Sequence, residues 1–258
     1  MTADVKVEIW SRSLLREADV VAMERLYREF YVGADEADFR RDLAEKDYAI
    51  LLRGTGVCGF STMKLVEVAE MRVLFSGDTV VETAQRGQWG LAGGFGHMIK
   101  FVEGMSPDET AYWFLISKGA RTYRFLPTFF RRYVPGPVAD ADLSARLARV
   151  ASALYPREYN PATGVLHFVG KKDRLRDDLL RMDTESVRFR ALNPGWMNGD
   201  ELCCLAPLAT DNLNRLGVRV IEATDPEWHL ERMLAPMYLA LPLFTTSWSA
   251  SIVSSIGV

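Results

Sequence analysis

The stretch Met71-Arg-Val-Leu-Phe-Ser-Gly-Asp-Thr-Val-Val81, with Arg86-Gly-Gln-Trp-Gly-Leu-Ala92 shortly after it, decides how the chain folds. Its first part is rich in β-branched and aromatic residues and predicts a strand. Its second part is a glycine-rich turn that enters a helix predicted over residues 91–102. A strand that leads through such a turn to a helix N-terminus directs several backbone N–H groups and the positive end of the helix dipole at one place. The stretch therefore predicts a pyrophosphate cradle.

The flanking segments predict a mixed sheet around this strand. Gly54-Thr-Gly56 is a short turn suited to an antiparallel hairpin, and the segment after Lys118-Gly119 has a helical pattern despite Pro127. In chain order we predict a strand at 1–10, a helix at 14–31, strands at 48–53, 57–68 and 71–81, a helix at 91–102, a strand at 111–117 and a helix at 120–133.

The pattern becomes looser after Pro135. We predict a helix at 141–154, a strand at 165–169, a charged helix at 173–182 and a strand at 201–205. The Pro-Gly-Pro sequence at 135–137 is a weak boundary, so we expect one α/β (α+β) domain with insertions rather than two independent units.

The composition restricts the class of protein. The chain has 258 residues, is 48% hydrophobic and carries a net charge of −3, so it can bury a core and has no overall basic field for nucleic acid. Its three His and three Cys are scattered, which disfavours a structural metal site and a secreted disulfide framework. A charged N-terminal segment without an apolar core is unlike a signal peptide. We therefore expect a cytoplasmic protein.

The segment 234–258 contains no charged residue. Its length is compatible with a membrane span, but Pro236, Pro242 and a run of Ser and Thr residues would weaken a spanning helix. We expect this segment to pack on the domain or on a second copy of the chain, as in a homodimer, rather than to anchor in a membrane.

The order of elements over residues 5–133 and the turn after the fourth strand resemble the GCN5-related N-acetyltransferase (GNAT) superfamily. Members carry Arg/Gln-x-x-Gly-x-Gly/Ala at this turn, whose backbone amides hold the pyrophosphate of acetyl-CoA, and their fourth strand pairs with the pantetheine arm. Arg86-Gly87-Gln88 followed by Gly90-Leu91-Ala92 matches the pattern when Trp89 is counted as one inserted residue. Without an insertion, Trp89 stands in place of the key glycine and would reshape the cradle.

The resemblance implies an acyl-CoA-binding core at residues 1–135, and additional helices and strands at 136–258 that complete the sheet and the acceptor pocket. The implied coenzyme-binding residues are Val80, Val81, Arg86, Gly87, Gln88, Trp89, Gly90, Leu91 and Ala92. The alternative is that the glycines of this region only permit a tight turn and close helix packing; they are Gly87, Gly90, Gly93, Gly94 and Gly96.

The implied activity is transfer of an acyl group from acetyl-CoA or another acyl-CoA, without a metal, to the amine of a small metabolite by direct attack. One alternative is an enzyme that takes its acyl chain from acyl carrier protein, as N-acyl amino acid and acyl-homoserine lactone synthases do. The other is a non-catalytic binding protein of the same fold. The turn at residues 86–92 favours coenzyme A, because those synthases lack a clear version of it.

Acyl transfer to an amine needs alignment, a base and an acid. Asp78 is the first candidate base, because Gly77 before it often marks a bulge and a distortion of this strand opens the acceptor site in the family. Glu82 is the second candidate base. Tyr123, one turn into the helix predicted at 120–133, is the candidate acid, and a core tyrosine is the alternative.

Strict alternation along this strand predicts which candidates share a side. It places Asp78 on one side with Arg72, Ser76 and Glu82, and it places on the other side Val73, Phe75, Thr79 and Val81.

Overall fold

The computed structural model describes residues 5–32, 35–85, 89–105, 107–168, 174–175 and 183–231. Arg86, Gly87 and Gln88 of the predicted cradle lie outside the described residues, as does the uncharged segment 234–258.

A mixed, mostly antiparallel sheet forms the centre of the molecule, which confirms the predicted fold class. The strands are β1 (Lys6–Ser11), β2 (Tyr31–Val32), β3 (Tyr48–Arg53), β4 (Val57–Val68), β5 (Met71–Val81), β6 (Ala111–Ser117), β7 (Tyr159–Asn160), β8 (Val165–Leu166), β9 (Arg174–Leu175), β10 (Glu201–Leu208) and β11 (Glu227–His229). Nine of them form one sheet in the order β11-β1-β3-β4-β5-β6-β10-β8-β7, and β2 pairs with β9 separately. In the large sheet the β1–β11 and β5–β6 pairs are parallel.

Helices cover both faces of this sheet. They are α1 (Glu17–Phe30), α2 (Glu36–Ala44), α3 (Gly90–Met105), α4 (Ala120–Tyr123), α5 (Phe125–Phe129), α6 (Ala141–Leu154), α7 (Thr184–Leu192) and α8 (Arg215–Glu222). The face that packs against α1, α2 and α6 is called the α1 face, and the opposite face, against α3, α5 and α8, is called the α3 face. Strands from both sides of residue 136 belong to the one sheet.

Local sequence signals explain several of these elements. Asp35 caps α2 by accepting hydrogen bonds from the N–H groups of Ala37 and Asp38, and Asp140 caps α6 through the N–H of Leu143. Both helices bury one apolar stripe, such as Phe39 and Leu43 of α2.

The helix predicted at 120–133 is wrong in its extent. Two short helices, α4 and α5, take its place, and Phe130 instead forms a bridge to Leu213. Pro127 has no backbone N–H to donate to Tyr123, so the regular series of helical hydrogen bonds is interrupted there.

Other boundaries also differ from the prediction. Within the segment predicted as a charged helix at 173–182, Arg174–Leu175 forms a strand instead, and the other residues lie outside the described part. The strand predicted at 165–169 is limited to β8 in the described residues, and the one predicted at 201–205 continues to Leu208. Besides β9, six of the elements named above were not predicted: the strands β2, β7 and β11 and the helices α2, α7 and α8.

Candidate functional site

The parallel strands β5 and β6 pair over part of their length and then separate. Their register runs from Val73 opposite Tyr112 to Ser76 opposite Leu115. β5 continues to Val81 and β6 to Ser117, where β6 still pairs with Leu202 of β10. Among the described residues no strand pairs with residues 77–81 on the β6 side, so a wedge-shaped opening with backbone polar groups along its edge lies between the two strands.

A β-bulge in β5 lies where the opening begins. Thr79 faces Ser61 of β4 and Ser76 faces Met63, so Thr62 lies opposite both Gly77 and Asp78. A bulge bends its strand and redirects the side chains that follow it. The distortion predicted from Gly77 is therefore present at that residue.

The bulge changes which face Asp78 occupies, and the strict alternation predicted from the sequence is wrong beyond Gly77. Val80 belongs to the hydrophobic cluster under α1 and α2, whereas Val81 packs on the α3 face. Alternation from these two valines places Thr79 on the α3 face and Asp78 on the α1 face, the same face as Phe75. The extra residue shifts the alternation by one position.

Glu82 follows β5 and lies near α1. One carboxylate oxygen is 3.8 Å from Nη2 of Arg25 on α1, and its side chain is 34% exposed. Asp78 and Glu82 thus both lie towards the α1 face, so the two candidate bases are on one side of the opening.

A buried ammonium and a buried hydroxyl converge on Gly77. A Cβ atom at Gly77 would lie 2.9 Å from Cε of Lys46, 2.9 Å from Oγ1 of Thr62 and 3.3 Å from Nζ of Lys46. Lys46 Nζ donates to Oδ1 of Asp42 at 2.8 Å and lies 5.4 Å from the centre of the Phe75 ring. The Lys46 side chain is 4% exposed, whereas that of Asp42 is 47% exposed. We call Asp42, Lys46, Thr62 and Gly77 the Lys46 cluster.

Thr62 lacks a hydrogen-bond partner among the described residues, although its Oγ1 atom is buried. Such a group normally costs stability, because water has been removed without replacement. No sequence pattern singles out Lys46 or Thr62, which are brought to Gly77 by the α2–β3 connection and by β4.

A second charged pair lies at the other side of the opening. Lys118, just after β6, has Nζ 3.5 Å from Oε1 of Glu201 on β10 and 4.9 Å from the centre of the Tyr31 ring. Burial raises the pKa of Tyr155, and the carboxylates of Glu201 and Asp42, one from each pair, raise it further. Its ring packs against Phe75, with 6.2 Å between centroids.

Trp89 and Gly90 lie at the start of α3, as predicted. The N–H of Gly93 donates to the carbonyl of Trp89, and the Trp89 ring is half exposed and meets Phe129 edge-on at 5.5 Å. Leu91 is buried in the core and Ala92 packs against it. The first N–H groups of a helix have no partner within the helix, so this turn remains able to bind an anion.

Three glycines of α3 lie in close packing contacts, as the packing interpretation predicted for this helix. The position of a Cβ at Gly94 is 2.8 Å from Ile50, and those of Gly93 and Gly96 overlap Thr224 and Ile221 at the end of α8. α8 is also tied to α3 by His97, whose Nε2 lies 2.8 Å from the carbonyl oxygen of Thr224. Burial lowers the pKa of His97.

A cavity of about 790 Å³ lies beside the N-terminus of α3. It is bounded by β1, by the start of α3 and by α8, and its lining includes Lys6, Gln85, Trp89, Gly90 and Arg219. Lys6 is paired with Glu227 at 2.8 Å.

Tyr123 is in the interior, with its side chain fully buried. Its hydroxyl donates to the carbonyl of Pro135 at 2.9 Å, and its ring faces Phe189. Burial raises its pKa, and the nearby Cys204 raises it further. Its recorded contacts are thus with α7, β10 and the Pro135 segment, away from the Lys46 cluster.

The described residues contain neither a candidate membrane span nor a candidate metal centre. No helix there combines the length and the apolar character that a membrane span requires. No group of three or more His, Cys, Asp or Glu side chains there is arranged to hold a metal ion.

Solved structures with likeness to this chain include the following three. One is a GNAT family N-acetyltransferase from Escherichia coli in complex with CoA, with 12% identity, a TM-score of 0.42, and coverage of 89% of this chain and 91% of that chain. Another is Arabidopsis thaliana NAA60 in complex with acetyl-CoA, with 14% identity, a TM-score of 0.38, and coverage of 54% of this chain and 92% of that chain. A third is Escherichia coli ElaA, with 15% identity, a TM-score of 0.37, and coverage of 54% and 95%.

No protein-family model matches the chain, and no curated protein does.

The topology by itself defines a class of α/β protein. An antiparallel β3–β4–β5 meander ends in a bulged strand, α3 follows, and the parallel strand β6 diverges from that bulged strand. This arrangement is the fold of the GCN5-related N-acetyltransferases, as the sequence resemblance predicted.

Proposed function

We propose that this protein is an acyl-CoA-dependent N-acyltransferase that uses acetyl-CoA and acylates the amine of a small metabolite. The observation that carries the proposal is the opening between β5 and β6 beyond Ser76, with the bulge at Gly77 and Asp78 at its start. A strand that loses its partner within a sheet offers backbone donors and acceptors to an extended ligand with amide groups. The pantetheine arm of coenzyme A is such a ligand.

The opening supports a direct transfer. The arm pairs with residues 77–81 and brings the thioester to the bulge, and the acceptor approaches from the α1 face. The amine nitrogen attacks the thioester carbonyl carbon, a carbonyl–nitrogen bond forms, and the carbon–sulfur bond breaks. The amine proton passes to a base, and the leaving thiolate takes up a proton.

Asp78 is the proposed base, because alternation after the bulge places it on the α1 face at the start of the opening. Glu82 is the second candidate, and its ion pair with Arg25 favours a supporting role. Tyr123 remains the proposed acid only if its hydroxyl leaves Pro135, to which it donates.

The nucleotide end of the coenzyme is proposed to lie in the cavity beside α3. Its pyrophosphate would meet the N–H groups at the start of α3, and the exposed guanidinium of Arg219 is available to a phosphate. Trp89 offers a flat apolar surface to the adenine ring.

Calorimetric titration with acetyl-CoA tests the donor. We expect saturable binding by the full chain, equally by desulfo-CoA, and at least about tenfold weaker binding by acetyl-pantetheine, which lacks the nucleotide. Arg219→Ala should weaken acetyl-CoA binding without changing that of acetyl-pantetheine, and Arg215→Ala, exposed on the same helix, is the matched control. Absence of acetyl-CoA binding would contradict the proposal.

Turnover tests the base. With acetyl-CoA and a panel of primary amines, Asp78→Asn should lower the rate of CoA release about a hundredfold or more while leaving the affinity for acetyl-CoA unchanged. Glu82→Gln should have a smaller effect. Tyr123→Phe tests the acid: a loss of kcat with unchanged affinity for acetyl-CoA supports that role, and retained activity contradicts it. If Asp78→Asn retains full activity, Asp78 is not the base.

A further inference from the structure

The Lys46 cluster is unusual because two hydrogen-bond donors are buried there without a full set of acceptors in the part of the chain that the structure describes. The ammonium of Lys46 has three N–H bonds, and Asp42 is the hydrogen-bond acceptor recorded for it among the described residues. The hydroxyl of Thr62 has no partner there. Both groups lie within 3.3 Å of the same point above Gly77, so one ligand group could contact both of them.

This place is on the α1 face, at the start of the opening. Gly77 has no side chain, so Lys46 and Thr62 can approach the strand there; Phe75 lies beneath the ammonium, and Asp78 is the next residue on the strand and on the same face. A molecule that presented its amine to Asp78 would therefore have Lys46 and Thr62 within a few ångströms of the atoms beside that amine.

The chemistry of the two donors selects the missing partner. A carboxylate accepts hydrogen bonds on both oxygens, and its negative charge balances the positive charge of a buried ammonium. Asp42 compensates Lys46 only from the rim, since its own side chain is 47% exposed and can turn towards water. An acceptor whose carboxylate replaced or joined Asp42 would satisfy Lys46 and Thr62 together.

We propose that Lys46 and Thr62 bind the carboxylate of the acceptor, so that the substrate is an α-amino acid or a close analogue. In such a molecule the amine and the carboxylate are attached to the same carbon or to adjacent carbons. This inference rests on the proposed acyltransferase function. It makes Lys46 and Thr62 determinants of acceptor specificity, and it leaves the proton transfer to Asp78.

Matched pairs of acceptors test the proposal. Each amino acid is compared with the amine that lacks its carboxylate: tyrosine with tyramine, histidine with histamine, and phenylalanine with phenethylamine. Release of CoA from acetyl-CoA gives kcat/KM for each. We expect kcat/KM to be about a hundredfold higher for the preferred amino acid than for its amine, since a site built to pair a polar group rejects the analogue without it.

Variants separate this role from a structural one. Lys46→Met should reduce the preference to within about threefold, mainly through KM of the amino acid, and Lys46→Arg should restore part of it. Thr62→Val should reduce the preference about tenfold, as expected for one lost hydrogen bond to a charged group. Lys64→Met, on β4 with a 37% exposed side chain, removes the same charge nearby and should leave the preference unchanged.

A binding measurement supports the kinetics. Calorimetry of the CoA-saturated protein should detect N-acetylphenylalanine but not N-acetylphenethylamine, and Lys46→Met should abolish the difference. If Lys46→Met does not fold, as judged by circular dichroism, Thr62→Val gives the decisive comparison.

The outcomes distinguish the two levels of the proposal. If the protein binds acetyl-CoA and acylates amines with no preference for a carboxylate, or binds neither N-acetyl compound, this inference is wrong and the proposed function stands. If Lys46→Met lowers kcat equally for every acceptor and keeps the preference, Lys46 acts elsewhere and the inference is also wrong. Failure to bind acetyl-CoA contradicts the proposed function itself.

Discussion

Two buried groups of charged residues on the α1 face differ in how completely they are satisfied. In the first, Arg53 donates two hydrogen bonds to Glu8, at 2.6 and 2.8 Å, and lies 3.0 Å from Asp19. Trp10 donates a further hydrogen bond to Glu8 at 2.9 Å. In the second, the Lys46 cluster, the ammonium is paired with a half-exposed carboxylate and Thr62 has no partner among the described residues.

The difference indicates what each group does. The Arg53 group joins β1, β3 and α1 by charge-assisted hydrogen bonds, and removing one member leaves a buried charge without its partner. The Lys46 cluster lies beside the bulge, where incomplete pairing is the state expected of a site without its ligand. We therefore expect substitutions in the first group to change stability and those in the second to change function.

Substitution of Arg53 should have the largest effect on stability. Arg53→Met leaves Glu8 and Asp19 buried beside each other without their cation and should lower the free energy of unfolding by about 3–5 kcal/mol. Urea denaturation measures this. Arg41→Met, on α2 with a 69% exposed side chain whose partner Asp38 is 67% exposed, is the control and should cost less than about 0.5 kcal/mol. A loss below about 1 kcal/mol for Arg53→Met would remove the basis of the comparison.

Acid should also destabilise the protein through the Arg53 group. Burial would raise the pKa of Glu8, but hydrogen bonds from Arg53 and Trp10 outweigh it, and the pKa of Glu8 is lowered from its ordinary value of 4.5. The pKa of Asp19 is lowered from 3.8, because hydrogen bonds from Arg16 and Arg53 likewise outweigh its burial. Lowered pKa values contribute stability that is complete above the ordinary values and is lost as the pH falls through the folded-state values.

Urea denaturation at a series of pH values tests whether stability falls as the pH is lowered. The wild type should lose stability as the pH falls from about 5 towards about 2. In Arg53→Met the same carboxylates are buried without their cation, so their protonation should lower the free energy of unfolding less than in the wild type. The stability curves of the wild type and of Arg53→Met should therefore converge in acid. Parallel curves would mean that the Arg53 group does not carry the pH dependence.

Gly77→Ala should lower the free energy of unfolding by less than Arg53→Met does. The new Cβ would lie 2.9 Å from both Lys46 and Thr62, so these side chains must move, at a cost of about 1–2 kcal/mol. Gly56→Ala is the control, because nothing lies within 4 Å of its Cβ position. Thermal denaturation of the pair measures the difference. Equal stabilities would mean that the Lys46 cluster is loosely packed.

Lys46→Met should change the free energy of unfolding by less than about 1 kcal/mol in either direction. Methionine fills a similar volume, and the lost ammonium was paired only with a half-exposed carboxylate. A loss as large as that of Arg53→Met in urea would show that the Lys46 cluster is structural and that the two groups are alike.

Thr62→Val should have the smallest effect on the free energy of unfolding, and it should stabilise the protein. Thr62→Val replaces a buried hydroxyl that lacks a partner among the described residues with a methyl group of the same shape, so it should stabilise the protein by about 0.5–1 kcal/mol. Denaturation in the absence of any ligand measures this. A destabilised Thr62→Val would mean that the hydroxyl is already satisfied and that no ligand is needed to explain it.

Much of the sheet could be predicted from the sequence, because alternation and β-propensity act locally. β3, β4, β5 and β6 have the predicted bounds. The helix α2 was missed because few of its nine residues are apolar, and its capping Asp35 is an ordinary surface residue in the sequence. The weak stripe of Phe39 and Leu43 becomes visible only when the sheet beneath it is known.

The site could be predicted only in part. Gly77 correctly indicated a bulge, but alternation alone put Asp78 on the wrong face, since one extra residue reverses every side chain after it. Lys46 and Thr62 reach Gly77 from distant positions, which no local pattern records. From the sequence, the glycines of this region could serve either coenzyme binding or close packing. Gly93 and Gly96 pack against Thr224 and Ile221, just after and within α8, a helix that was not predicted.

The most direct test of the proposed function is amide hydrogen exchange with and without acetyl-CoA. If the pantetheine arm pairs with the edge of β5 that faces β6, those amides of residues 77–81 that point towards the opening should become protected by at least about tenfold, while those of residues 57–60, between β3 and β5, change less than about twofold. Protection at the start of α3 without any change in residues 77–81, or no binding at all, would contradict the central claim that the opening between β5 and β6 holds the acyl donor.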